Sequence, residues 1–185
     1  MAYIIAYYII HYVYVFGSPT SLLFRSDLIR SRNPFFNYFG AFEDADACFD
    51  LLKQCDFGFV YQVLTFTRVE NNSIFSPMRS FNYEDLLRFM ILRKYGSIYL
   101  EKVEYENCLK RIEKRYLGYL TESLFFRRNK EFWRFHYDNL AVMNYKVTLY
   151  RLRAYIIKFL IDLLFNPKKA AGMLLRRFKN TSVVA

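Results

Sequence analysis

Residues 43–68 read EDADACFDLLKQCDFGFVYQVLTFTR, and this stretch decides the fold that the sequence predicts. Its first twelve residues predict an α-helix, because acidic side chains fill the first turn and apolar ones follow at helical spacing. The tripeptide Asp56-Phe57-Gly58 ends that helix. Residues 59–68 are mostly β-branched or aromatic and predict a strand. A helix that leads directly into a strand indicates an α/β domain.

The segment before this stretch also favours strands. Residues 2–16, AYIIAYYIIHYVYVF, are rich in Ile, Val and Tyr, which favours a buried strand; contact with a membrane and an unstructured segment stay open as alternatives. The run is shorter than the roughly 20 residues of a membrane-spanning helix. It also lacks the basic start and the cleavage site of a signal peptide. A turn at residues 17–20 and a short apolar strand over residues 21–25 follow.

The second part of the chain predicts helices only. These cover residues 83–95, 101–126, 129–144, 148–165 and 168–179. Gly96 is the expected C-cap of the first of them. The change of character near residue 78 predicts two domains, an α/β part over residues 1–78 and a basic helical extension over residues 79–185.

Composition and charge exclude some classes of protein and indicate a type of partner. Apolar residues make up 54% and aromatic residues 21% of the 185, which excludes a disordered or collagen-like chain. Residues 1–78 carry five Lys/Arg against seven Asp/Glu, whereas residues 79–185 carry 22 against 10. A basic half indicates a phosphate-bearing partner. The three cysteines form no C-x-x-C pair, which favours a reducing, cytoplasmic compartment, and no zinc-site spacing is present.

A succession of short motifs covers residues 17–76. Residues 17–29 read GSPTSLLFRSDLI, and residues 39–73 read FGAFEDADACFDLLKQCDFGFVYQVLTFTRVENNS. A G-x-P-T turn, an apolar strand ending in arginine, an aromatic loop, an E-D pair that opens a helix and a G-F-V strand follow one another in them. This order resembles the acceptor half of glycosyltransferase family 2. Parts of the later helical stretch, such as LRFMILRKYGSIYL at residues 87–100, resemble the helical extension of some bacterial members.

The resemblance implies a fold, a reaction and a set of site residues. The fold would be a partial GT-A-type half domain of the α/β class, followed by a helical C-terminal extension. The reaction would be transfer of a sugar from a nucleotide-sugar to a glycan or lipid-linked acceptor, with inversion. The implied roles are Asp44 as the general base, Glu43 as the residue that orients it or the acceptor, Gly17, Pro19 and Thr20 as the floor of the acceptor cleft, and Arg68 near the diphosphate.

The tripeptide Asp44-Ala45-Asp46 also spells a D-x-D, which can hold a divalent metal against a nucleotide diphosphate. The simplest interpretation of the tripeptide alone is that acidic residues complement the dipole of a helix N-terminus. By the resemblance it is the base motif and not the metal motif. Where many family members have a histidine two residues after the arginine, this chain has Glu70.

The donor-binding half of the family precedes the G-x-P-T turn, and only 16 residues precede Gly17 here. We therefore expect the chain to be the C-terminal part of a glycosyltransferase and to be inactive by itself. A divalent metal, Mg or Mn, is expected for the complete enzyme and none for this chain. A catalytically inactive remnant or partner subunit is the alternative.

The basic helices predict a partner as well. In residues 148–165 a narrow polar stripe of Arg151, Lys158 and Asp162 interrupts an otherwise apolar helix, with Arg153 as the exception. Such a helix is either buried or lies in a membrane interface. Residues 146–179 are one predicted contact with an anionic membrane surface, which would place the protein peripherally on the inner membrane face; a solvated basic tail is the alternative. A nucleic-acid-binding module is the weaker alternative, because the aromatics recur at core spacing and no such motif is present.

Overall fold

The computed structural model describes residues 16–17, 19–36, 43–66, 81–126, 128–168 and 170–172. The chain divides into two compact units, residues 1–112 and 113–185. Helix accounts for 69% of the described residues. After a short 3-10 helix at Pro19–Ser21, the helices are α1 (Ser26–Arg30), α2 (Glu43–Leu51), α3 (Tyr83–Tyr99), α4 (Lys102–Phe125), α5 (Lys130–Val142) and α6 (Leu149–Phe165).

The predicted α/β fold, a partial GT-A-type half domain, is wrong, since the described residues contain no strand and no sheet. Residues 59–66 have the composition of a strand, but no described segment pairs with them. Their side chains project into solvent, with Tyr61 and Phe66 each 92% exposed. A strand exists only through hydrogen bonds to a neighbour, so residue types alone cannot make one. The predicted strand over residues 21–25 is also absent; residues 2–15 and 67–68 lie outside the described residues.

The helices predicted over residues 83–95, 101–126, 129–144 and 148–165 are present, and side-chain caps hold the starts of two of them. Asn129 caps α5, and its side-chain oxygen accepts a hydrogen bond from the backbone nitrogen of Phe132 at 2.9 Å. Thr148 caps α6 in the same way, with 3.4 Å to the nitrogen of Arg151. Beyond α6, residues 167–168 and 170–172 are helical, and residues 173–179 of the last predicted helix lie outside the described part.

One predicted helix end is wrong. Gly96 does not cap α3, which continues to Tyr99. A Cβ atom at Gly96 would lie 2.6 Å from the ring of Tyr105 and 2.7 Å from a methyl group of Leu92. Gly96 therefore allows α4 to pack closely against α3; it does not end the helix.

The first unit is built around α3. Its residues 85–92 are all buried, which is the pattern of a helix enclosed on every side. The apolar side chains of α2 pack on it, and the rings of Phe49 and Tyr95 lie 5.8 Å apart. These contacts join residues on both sides of position 78; the domains predicted over residues 1–78 and 79–185 stay a prediction.

The second unit packs the C-terminal half of α4 with α5 and α6. Tyr116 and His136 are buried at its centre, with 2.7 Å between the tyrosine hydroxyl and Nδ1 of the histidine. Phe125 and Phe159 hold α6 to α4, with ring centroids 4.7 Å apart. Among the described residues, no helix has the combination of length and apolar character that crossing a bilayer requires.

Candidate functional site

The acidic first turn of α2 contains three carboxylates, of which one is completely buried. Asp46 has no exposed surface. Its Oδ2 accepts a hydrogen bond from Arg32 Nη2 at 2.7 Å, and its Oδ1 pairs with the ammonium group of Lys94. The hydroxyl of Tyr95 donates to Oδ1 at 2.8 Å. Asp46 is thus a buried anchor that joins α2 to α3 and to the segment after α1.

Asp50 extends this cluster one helical turn further. Its Oδ2 lies 3.2 Å from Arg32 Nε, and its Oδ1 accepts a hydrogen bond from Lys53 at 2.6 Å. Partial burial acts to raise the pKa of Asp50, but the hydrogen bond from Lys53 and the charges of Lys53 and Arg32 outweigh it and lower the pKa. Burial, followed by the hydrogen bond to Asp46, raises the pKa of Tyr95 far above its usual range. Tyr95 is therefore a permanent hydrogen-bond donor and not an acid–base group.

The partners of Asp46 decide whether the D-x-D could hold a metal. Both carboxylate oxygens already accept bonds from cationic or phenolic donors. A divalent cation needs oxygen ligands with free lone pairs, and two cations beside it would repel it. Asp46 therefore does not fit a metal. More widely, residues 16–36, 43–66 and 81–172, where described, hold no group of three His, Cys, Asp or Glu side chains arranged for an ion.

Asp44 and Glu43, the predicted base and its neighbour, lie at the start of the same helix and are only half-buried. Asp44 Oδ1 accepts a hydrogen bond from the backbone nitrogen of Ala45 at 2.8 Å. Asp44 therefore stays partly accessible to solvent at the start of the helix, as a residue that takes a proton from an acceptor must be.

The predicted acceptor residues lie in a turn whose start packs on α2. Phe16, directly before the turn, makes an edge-on contact with Phe49 at 5.0 Å between centroids. Gly17 has φ +71°, a left-handed conformation, and a Cβ there would lie 2.5 Å from Oγ of Ser21. Pro19 and Thr20 belong to the 3-10 helix that follows, with Thr20 exposed. The contact through Phe16 joins the turn to the helix that carries Asp44.

The remaining predicted positions cannot be placed in the site. Arg68, the expected diphosphate ligand, and Glu70 lie outside the described residues. The sequence did not predict the roles of Arg32, Lys94 and Tyr95, which bind the buried carboxylate of Asp46. The sequence did contain one indication that Asp46 is buried. It lies three residues before the apolar Phe49, and residues at that spacing share a helix face. Arg32 and Lys94, which pair with Asp46, lie 14 and 48 residues away along the chain, so no local sequence pattern could predict these pairs.

Comparison of the chain with protein-family models, with curated proteins and with solved structures found no match in any of the three. The resemblance to glycosyltransferase family 2 thus stays a prediction that rests on the motif order alone.

Proposed function

We propose that this chain takes part in sugar transfer from a nucleotide-sugar to a glycan or lipid-linked acceptor, with Asp44 as the general base. The single observation that carries the proposal is the contrast between two carboxylates in one helical turn. Asp46 is buried and occupied by Arg32, Lys94 and Tyr95, whereas Asp44 is half-buried at the helix N-terminus. The E-D pair is thereby left as the accessible part of the acidic turn.

In the proposed step the acceptor hydroxyl oxygen attacks the anomeric carbon of the donor. The new C–O bond forms as the bond between that carbon and the diphosphate oxygen breaks, and the electron pair leaves with the diphosphate. Asp44 takes the hydroxyl proton, so that no alkoxide has to form first. A single displacement of this kind inverts the configuration at the anomeric carbon.

The other residues would serve the acceptor side. Glu43 precedes Asp44 and would orient the acceptor hydroxyl or the base. The turn that begins at Gly17 would form part of the acceptor cleft, since Phe16 holds it to α2. The metal expected for the complete enzyme would supply charge stabilisation to the leaving diphosphate. Asp46 has no part in that, and its role is to fix α2 on α3.

The proposal is tested by deleting the gene in the source organism and comparing its lipid-linked and surface glycans with those of the parent strain. Complementation with the unchanged chain should restore a missing glycan. Asp44→Asn should not, because loss of a general base costs about 10²–10⁴-fold in rate. Glu43→Gln should restore it in part.

Asp56→Asn is the matched control, since Asp56 is an exposed carboxylate just beyond the other end of α2. It should restore the glycan fully, with all variants compared at equal protein level. An Asp44→Asn strain with a normal glycan profile would overturn the assignment of Asp44. An unaltered glycan profile in the deletion strain would favour the alternative, an inactive remnant or partner subunit.

The purified chain gives a second test. Orientation of reactants can be worth about 7–11 kcal/mol, so a base without a bound donor should not catalyse transfer. We expect weak binding or none of UDP-, GDP- or dTDP-sugars in calorimetric titrations with Mn²⁺. Micromolar binding, or transfer by the chain alone, would show that it also supplies the donor site.

A further inference from the structure

Helix α6 is apolar on two different sides. Leu152 and Phe159 are buried at 3% and 6% exposure and face the second unit. At about 100° per residue they lie within about 20° of each other around the helix. A second set of apolar side chains points elsewhere and is exposed: Leu149, Tyr150, Ile157, Leu160, Ile161, Leu164 and Phe165. We call these seven residues the outer face of α6.

The outer face is continuous. From Leu149 to Ile161 it covers an arc of about 120° around the helix, and Leu164 lies in the middle of that arc. Exposed fractions reach 80% at Leu164 and 85% at Phe165. All seven side chains are at least 45% exposed among the described residues. Scattered exposed apolar residues are ordinary, but a contiguous row along one helix indicates an interaction surface.

Basic side chains border this face. Lys158 and Lys168 are exposed, and Arg153 lies within the apolar arc with its guanidinium group 3.9 Å from the ring centroid of Tyr150. That geometry lets a long side chain cover apolar surface while its charged end reaches a polar boundary. Asp162, the one acidic residue of α6, lies about 160° from Leu164 and about 40° from Lys158, on the polar stripe beside the outer face.

We propose that the outer face of α6 docks on the surface of an anionic lipid bilayer, with the helix axis in the plane of the membrane. An apolar row bordered by cations fits the boundary between acyl chains and negative headgroups. A second copy of the chain fits less well, because its own basic borders would meet these. A nucleic acid fits less well too, because Leu and Ile side chains do not stack on bases. The proposal is independent of the proposed sugar transfer.

The test is flotation of the full chain with vesicles of phosphatidylcholine and phosphatidylglycerol in a ratio of 3:1, and with vesicles of phosphatidylcholine alone, at 100 mM NaCl. We expect binding to the anionic vesicles and at least tenfold weaker binding to the neutral ones. The double variant Ile157→Glu/Leu164→Glu should lower binding by a factor on the order of 100, because it removes apolar burial at the centre of the outer face and sets two negative charges against the anionic surface. Both side chains are already exposed, so folding should not change, and circular dichroism checks this.

A charge-matched pair keeps the test decisive if that variant misfolds. Lys158→Gln/Lys168→Gln should weaken anionic binding by roughly 30-fold, about a factor of five for each basic residue near the surface. Lys110→Gln/Lys114→Gln alters the net charge equally on the exposed side of α4 and should leave binding within about twofold. Equal effects of the two pairs would overturn the proposal, because attraction would then depend on net charge alone. Absence of vesicle binding would also overturn the proposal. Dimers in sedimentation would then indicate that a second copy covers the outer face, and tight RNA binding in a filter assay would indicate a nucleic acid.

Discussion

The hydroxyl of Tyr95 in α3 lies within hydrogen-bond distance of two oxygens of Asp46 in α2, 2.8 Å from Oδ1 and 3.1 Å from the main-chain carbonyl. This contact fixes both the side chain and the backbone of the acidic turn. Asp44 is two residues earlier in the same turn. The orientation of the proposed base therefore depends on a buried neighbour that takes no part in the chemistry.

Replacing Asp46 should destabilise the first unit severely. Asp46→Ala leaves the guanidinium of Arg32, itself 9% exposed, without its main acceptor, and removal of one partner from a buried ion pair costs about 3–5 kcal/mol. Urea denaturation followed by circular dichroism measures the loss. Asp56→Ala, at an exposed carboxylate, should stay within about 0.5 kcal/mol of the parent. A small change in the free energy of unfolding of Asp46→Ala would mean that the cluster around Asp46 contributes little to the stability of the first unit.

Two glycines in helices should respond with opposite signs. Gly96→Ala places a methyl group 2.6 Å from the ring of Tyr105 and should cost about 1–3 kcal/mol through overpacking. Gly118→Ala meets nothing within 4 Å and should stabilise α4 by about 0.5–1 kcal/mol. Thermal unfolding of the two variants provides the comparison. A stabilising Gly96→Ala would show that α3 and α4 are less close than described.

The two helix caps should differ in strength. Asn129→Ala removes a hydrogen bond of 2.9 Å at the start of α5 and should cost about 1 kcal/mol. Thr148→Ala removes a longer one, 3.4 Å, at the start of α6 and should cost less. Denaturation midpoints of the single variants and of the double variant test the order. The reverse order would contradict the described capping geometry.

The three thiols should react at very different rates. Burial raises the pKa of Cys48 to about 12, from an ordinary value of 9.0, so its reactive thiolate is nearly absent at pH 8. Cys108 is buried as well, and Cys55 is half-buried. We expect Ellman's reagent to modify Cys55 first in the folded protein and all three in guanidinium. Cys55→Ser should abolish the fast phase; a fast phase that persists would place another thiol at the surface.

The shifted thiol also gives a pH dependence of stability. Because the folded state holds the proton of Cys48 more tightly than the unfolded state, its contribution is complete below pH 9. That contribution is lost as the pH rises from about 9 towards 12. Cys48→Ala should therefore flatten the fall in stability over this range, which urea denaturation at pH 8, 9 and 10 would detect. An equally steep fall in the variant would assign the alkaline loss to other groups.

The sequence by itself determined where the helices lie. The helices predicted to start at residues 129 and 148 are α5 and α6, which begin directly after Asn129 and Thr148. The apolar spacing of α4 continues through Ile112, Tyr116 and Leu120, which are all buried. These signals are local, since a helix satisfies its backbone hydrogen bonds within four residues. The sequence also singled out the acidic turn of α2, for the same reason.

The tertiary structure alone decided the rest. Residues 59–66 have strand composition but no partner among the described residues, and a sheet depends on a neighbour that composition cannot supply. Asp44 and Asp46 cannot be told apart from the sequence alone. The ammonium group of Lys94, 48 residues from Asp46 along the chain, helps to make Asp46 the buried anchor. Both faces of α6 are apolar in the sequence, and only packing through Phe159 shows which is inside and which stays exposed.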